Sequence, residues 1–262
     1  MRLYAEVARR TYGRVSTYRR ATIAGVFTNT VFGFLLAYVL KAVYAERSMV
    51  GGFDVTAAVT FTFVAQGLLM PLGLFGTTEM ADRIKTGDVI VDLQRPYDNQ
   101  GWWAGVEYGK AGFYFLFRGI PPFLAGALVF HLQLPTVATF TAFLVAITIA
   151  VGISFAYRYV LQLTAFWLLD VRGTNQLGML TAHFLCGAFI PIVFFPHWLE
   201  VACRILPFAW MLQVPIEIWL GQHTGSDLVL MYAVQLAWLG ALLMIGRIVL
   251  NRAVRRVVVQ GG

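Results

Sequence analysis

Two side chains with metal-binding chemistry, His183 and Cys186, stand three residues apart in an apolar stretch. An imidazole and a thiolate can begin a zinc site, but such sites need three or four protein ligands. Nothing nearby completes the set, so no metal site is expected, and His183 reads as a hydrogen-bonded histidine packed between helices. The serines, Ser16, Ser48, Ser154 and Ser226, lack the context of a nucleophile elbow. The stretch "GVEYGKA", Gly105 to Ala111, has the wrong glycine spacing for a phosphate loop and no Ser or Thr after Lys110. The chain is therefore expected to be no enzyme, with no cofactor of its own; any ATP must be hydrolysed by another polypeptide. The remaining chemistry is ionic. Between Thr77 and Lys110 lie Glu79, Asp82, Asp88, Asp92, Asp98 and Glu107 with Arg83, Lys85, Arg95 and Lys110, in a chain holding only 13 acidic and 20 basic residues.

The elements that position these groups are membrane helices. With 59% hydrophobic and 13% charged residues and a mean hydropathy of +0.70, the composition lies far from that of a water-soluble domain. Two cysteines, Cys186 and Cys203, are too few for a disulfide framework and read as free thiols. The net charge of +7 does not point to nucleic acid, because the basic residues flank apolar segments instead of forming a stripe with stacking aromatics. A spanning helix needs roughly 20 mostly apolar residues. Six stretches qualify: 21–44, 55–75, 111–130, 136–157, 176–195 and 228–250. Residues 1–20 precede an apolar run too long for a signal peptide and read as a basic amphipathic helix at the interface. The fold class is thus an all-α integral membrane protein, one transmembrane domain over 1–262.

Direction follows from Lys and Arg in the short loops. With both termini cytoplasmic, only Lys41, Arg47 and Arg204 fall outside; the inner set includes Arg158, Arg247, Arg252, Arg255 and Arg256. Residues 196–222 are long enough to cross, but they carry Glu200, Arg204 and Glu217, and Pro207 and Pro215 interrupt them. They read as a re-entrant hairpin in the outer leaflet, with Glu200 and Arg204 at i, i+4; a helical loop on the outer surface is the alternative.

No Asp or Glu lies centrally in any span, which removes the usual chemistry of ion-driven transport. The second and fifth spans do carry polar groups, among them Thr60 and Gln66, Thr181 and His183, which either line a pathway or bond to neighbouring helices. On the fourth, Ala138, Ala142, Ala146, Ala150 and Ser154 recur every four residues, a seam for close helix packing within the subunit or between copies. "GTTEMADRIKTG" predicts a short amphipathic helix, capped at Thr77 or Thr78, with Met80 and Ile84 on one face and Gly87 at its end. It follows the second span with little flexible chain between. An extended "DVIVDLQ", a turn at Arg95-Pro96 and a second short helix carrying Trp102 and Trp103 complete the segment.

The succession Glu79, Arg83, Gly87, Arg95-Pro96 and a tryptophan-bearing segment resembles the cytoplasmic connection of type-2 ABC transporter permeases. "IVFFPHWLEVACRILPFAWMLQVPIEIWLG", Ile192 to Gly221, is similar to that family's outer re-entrant hairpin. The resemblance implies a bacterial inner-membrane permease subunit of an ABC exporter, paired with a second copy or paralogue and with two ATPase subunits that hold ATP and Mg2+. It also implies that residues 79–87 dock on the ATPase and that substrate passes between second and fifth helices where the two permeases meet. The alternative from another class is a non-transporting membrane scaffold or assembly factor that binds a cytoplasmic partner.

Overall fold

The computed structural model describes residues 2–168 and 170–260, with side chains as far as Arg255; Met1, Gly261 and Gly262 of the predicted domain and the side chain of Arg256 in the inner basic set lie outside the described residues. Among those described the chain is helical, and the one extended pairing is a single bridge between Val50 and Phe53. In order, the helices are α1 (Arg2–Ser16), α2 (Arg19–Val43), α3 (Val55–Leu68), α4 (Glu79–Thr86), α5 (Val89–Gln94), α6 (Asn99–Tyr114), α7 (Ile120–Ala127), α8 (Val137–Leu163), α9 (Arg172–Leu185), α10 (His197–Ile205), α11 (Gln213–Trp219) and α12 (Gly225–Gln260). Three helical stretches are long and apolar enough to cross a bilayer: Arg19–Val43, Val137–Phe166 and Gly225–Arg255.

The second predicted span is not one helix. Its 14 helical residues begin at an Asp54 cap, whose side chain accepts from the Ala57 amide at 2.7 Å, and end at Leu68. At about 1.5 Å per residue that covers only about 21 Å. Pro71 has no N–H and clashes with the preceding turn, and the chain from Leu69 to Thr78 continues as turns with Gly73 and Gly76 at φ +61° and +71°. Irregular backbone at this depth must be enclosed by protein. Leu72 and Leu74 are fully buried, and Ser154 of α8 donates its hydroxyl to the Leu72 carbonyl at 2.5 Å. The expectation of little chain between span and amphipathic helix is thus corrected: ten residues intervene, held by packing. Every residue from Ala57 to Leu68 is buried, so α3 is the central post of the subunit.

The third predicted span is a continuous helical run from Asn99 to Ala127, in which a π segment, Phe115–Gly119, joins α6 to α7. The second short helix expected around Trp102 and Trp103 is therefore the start of this long run, capped by Asp98 on the Gly101 amide at 2.7 Å. "VIVDLQ" is also helical, as α5, where an extended strand was expected; it buries Val89 and Asp92 at i, i+3.

Three glycines spaced by four, Gly101, Gly105 and Gly109, line the face of α6 that receives α1. A Cβ at Gly105 would lie 2.9 Å from the Tyr4 carbonyl oxygen, and one at Gly109 would overlap the Ala8 carbonyl. Small residues at this spacing let two backbones meet, and α1 buries Val7, Thr11 and Val15. Gly109→Leu should lift α1 from this seat, at a cost of about 1–3 kcal/mol for overpacking. A cysteine replacing Thr11, protected in the parent, should then react with a maleimide; Cys186 and Cys203, both fully buried, provide little background. Unchanged labelling would separate the glycines from the seating of α1.

The seam on α8 faces inward from Ala146 through Ala150 and Ser154, all buried, while Ala138 is exposed. Tyr232 and Gln235 of α12 donate to the Ala142 and Ala146 carbonyls, so the stripe serves packing within the subunit.

Candidate functional site

The charged groups between Thr77 and Lys110 converge at one end of the bundle. α4 begins after Thr78, whose hydroxyl bonds to the Asp82 carboxylate at 2.8 Å, and stops at Gly87 with φ +84°. Met80 is buried, and its amide donates to Gln162 Oε1 of α8 at 3.0 Å. Glu79 accepts from Lys110 Nζ at 3.1 Å and lies 3.6 Å from Arg14 Nη2. Lys110 also reaches Glu107 Oε1 at 3.0 Å, and Glu107 Oε2 accepts from Arg158 Nη2 at 2.6 Å. The result is an alternating row, Arg14, Glu79, Lys110, Glu107, Arg158, that ties α1, α4, α6 and α8 together. Its inner end is dry: the Arg158 side chain is 3% exposed and that of Glu107 9%. The Arg158 guanidinium also fills the space beside Gly73, where any Cβ would lie within 3 Å of it. The turn after α3 is therefore clamped to the same row as α4.

A second bond closes the platform. Arg83 donates to both oxygens of Asp92 at 2.6 and 2.9 Å, a bidentate pair that joins α4 to α5, and this bond pushes the Arg83 pKa above its ordinary value. At the start of α6, Asp98 accepts from Arg247 Nη1 of α12 at 2.6 Å, while its amide donates to the Tyr4 hydroxyl at 3.2 Å. Tyr97 stacks on Trp102. Between α1, the platform and α6 lies a cleft of about 520 Å³, lined by Arg10, Arg14, Arg83, Arg95, Trp102 and Trp103 among others.

The residues singled out from sequence thus divide. Glu79, Arg83, Arg95 and Trp102 share the cleft, whereas Met80 and Ile84 pack inward on the subunit core. Arg95 and Pro96 are exposed, and Gly87 ends α4. The outward ridge is Asp82, Lys85, Thr86 and Asp88 with Ile90 and Val91, 45% and 54% exposed. Sequence reasoning passed over Ile90 and Val91; two adjacent apolar residues on a short charged segment were the available signal. Of the polar residues on the second and fifth spans, Thr60 and Gln66 are buried inside α3, and the Thr60 hydroxyl donates to the Thr56 carbonyl and accepts from the Gln133 amide. Thr181 is exposed on α9, and His183 bonds to the Met179 carbonyl between Phe75 and Phe189. The two pairs are not brought together in one lining.

At the opposite end, α10 and α11 form a helical hairpin. Glu200 accepts from Arg204 at 3.1 Å, and Arg204 also reaches both oxygens of Glu217, at 3.2 and 2.8 Å. Pro207 lies in the link between the helices. Pro215 does not interrupt: it occupies the first turn of α11, where a missing N–H leaves no bond unmade. His223 bridges Glu217 at 3.1 Å and Asp227 of α12 at 2.5 Å, with Arg204 behind Glu217. The bond to Glu217, with that to Asp227, raises the His223 pKa against the opposing effect of burial. A raised folded-state pKa stabilises fully below the unfolded value of about 6.5 and is lost as pH climbs through the folded value. The thermal midpoint of the parent should therefore fall relative to that of His223→Gln between pH 6 and 9. Parallel curves for the two proteins would remove His223 from this role.

A family model described as ABC-2 family transporter protein matches residues 27–261. No curated protein and no solved structure matches the chain.

Proposed function

Because the chain belongs to the ABC-2 family of transporter proteins, we propose that it is the membrane-spanning permease subunit of a bacterial ABC exporter, forming the translocation path and driven by a separate ATPase. Six crossings fit its elements: α2; α3 with the buried turns after it; α6 through α7; α8; α9 with its following turns; and α12. Both termini are cytoplasmic in the bacterial inner membrane, which puts α1, α4 and α5 on the inner side and the α10–α11 hairpin on the outer side. The partners are two ATPase subunits, holding ATP and Mg2+, and a second permease copy or paralogue.

The observation that supports this reading is the row of ion pairs seating α4 and the turn after α3 on the same two helices. Closure of an ATPase against the α4–α5 ridge would move a body whose load reaches Arg158 and the central post together. Glu79, Arg83 and Gly87 hold or shape that body, Met80 and Ile84 root it in the core, and Asp82, Lys85, Ile90 and Val91 form its outward surface. The test is copurification of the tagged chain with an ATPase encoded beside it, with ATP hydrolysis measured in liposomes. A permease gives a stable complex whose hydrolysis responds to a transported substrate. A chain that binds a partner without any such response is a scaffold. For orientation, a cysteine at Ser48 should react with an impermeant thiol reagent in intact cells, and one at Thr86 only after lysis.

A further inference from the structure

Arg118 stands apart from the other arginines enclosed by the bundle. Arg158 and Arg204 each have carboxylate partners, whereas among the described residues Arg118 has no salt bridge, and its buried Nε has no hydrogen-bond partner. Its nearest polar company is the face of Tyr114, 5.5 Å from the guanidinium to the ring centroid. The residue sits in the π segment, a distortion frequent at functional positions. Across from it α2 is notched: Gly25 is buried, and a Cβ there would overlap the guanidinium. The side chain is only half-buried, and the helix surfaces flanking it are apolar and open, with Ile23 and Phe27 on α2 69% exposed and Phe117 49% exposed.

Gly25 is six residues beyond the start of α2, about 9 Å along the helix. On the six-span reading given above, this places the guanidinium near the inner edge of the hydrocarbon, facing lipid. An unmatched charge in apolar surroundings is costly, and the chain offers it no carboxylate. From the unpartnered guanidinium, its glycine notch and the apolar rim we infer that this is a binding site for the phosphate of an inner-leaflet anionic phospholipid. The fork of Arg118 offers paired donors to two phosphate oxygens, a geometry lysine cannot reproduce. The acyl chains lie along the exposed apolar surfaces of α2 and the π segment.

The test uses the full chain in a neutral detergent, with dioleoylphosphatidylglycerol, dioleoylglycerol or inorganic phosphate added. Phosphatidylglycerol should raise the unfolding midpoint by about 5 °C at saturation, while the other two leave it unchanged. Arg118→Gln should abolish the rise, whereas Arg20→Gln, on the same helix as the notch, should retain it. If Arg118→Gln does not fold, Gly25→Ala, whose methyl group displaces the guanidinium, should lose the rise instead. An undiminished rise in the Arg118 or Gly25 variant, or an equal response to dioleoylglycerol or to free phosphate, would overturn the assignment. No arm involves the ATPase, so a failed lipid response leaves the coupling proposal standing.

Discussion

Arg158→Leu is expected to lower the thermal midpoint of the purified chain by about 10 °C, because removing one partner of a buried ion pair costs about 3–5 kcal/mol. Glu107 would keep Lys110 but lose its 2.6 Å bond to the one fully enclosed cation beside it. The turn after α3 would lose its clamp in the same step, since the guanidinium also packs on Gly73. Desolvation makes the sign of the double variant informative. Glu107→Gln with Arg158→Leu removes both buried charges and should recover at least half of the loss, as replacing a buried pair by neutral groups is often close to neutral. Unfolding followed by tryptophan fluorescence measures both. A single variant as stable as the parent would mean that the row of charges does not hold the platform.

The second large effect concerns coupling. Glu79→Lys with Arg83→Glu places wrong-sign groups beside Lys110, Arg14 and Asp92 and should loosen α4 from its seat. The chain should still insert and dimerise, yet lose substrate-stimulated ATP hydrolysis. A contrasting variant, Asp82→Lys with Lys85→Glu, touches only the outward side of α4 and should act on the partner instead. Like-charge contacts across an interface cost several kcal/mol, so ATPase affinity should fall roughly a hundredfold. Copurification and hydrolysis together separate the two: the first variant binds without responding, and the second does not bind. If both variants bind and respond as the parent does, α4 is not the coupling element.

How far these features could be read beforehand depended on whether their cause was local. The long apolar runs of α2, α8 and α12, the stop at Gly87 and the pairing of Glu200 with Arg204 are set within a few residues, and they were legible. The end of α3 was missed because apolar composition reports burial and not helix continuity, although Pro71 with Gly73 and Gly76 was the available sign. α5 read as extended because its alternation of apolar and polar residues is too short to separate period 2 from period 3.6. The glycines of α6 were weighed only as a failed phosphate loop, while their spacing of four is a packing signal. The bonds of Glu79 to Lys110 and of Glu107 to Arg158 join residues 31 and 51 positions apart. No local pattern announces such pairs.

The π segment between α6 and α7 has a consequence for how this chain can change over generations. Each residue turns a helix by about 100°, so the wide turn at Phe115–Gly119 sets the rotational phase between a half that shows its glycines to α1 and a half that packs on α2 and α3. Point replacements within the segment leave that phase intact. A one-residue deletion would rotate α7 against α6, turning Gly126 away from Phe63 and Gly119 away from Gly67, which now meet closely. Homologous chains should accordingly tolerate variety in the identity of these residues while holding the length of the segment fixed.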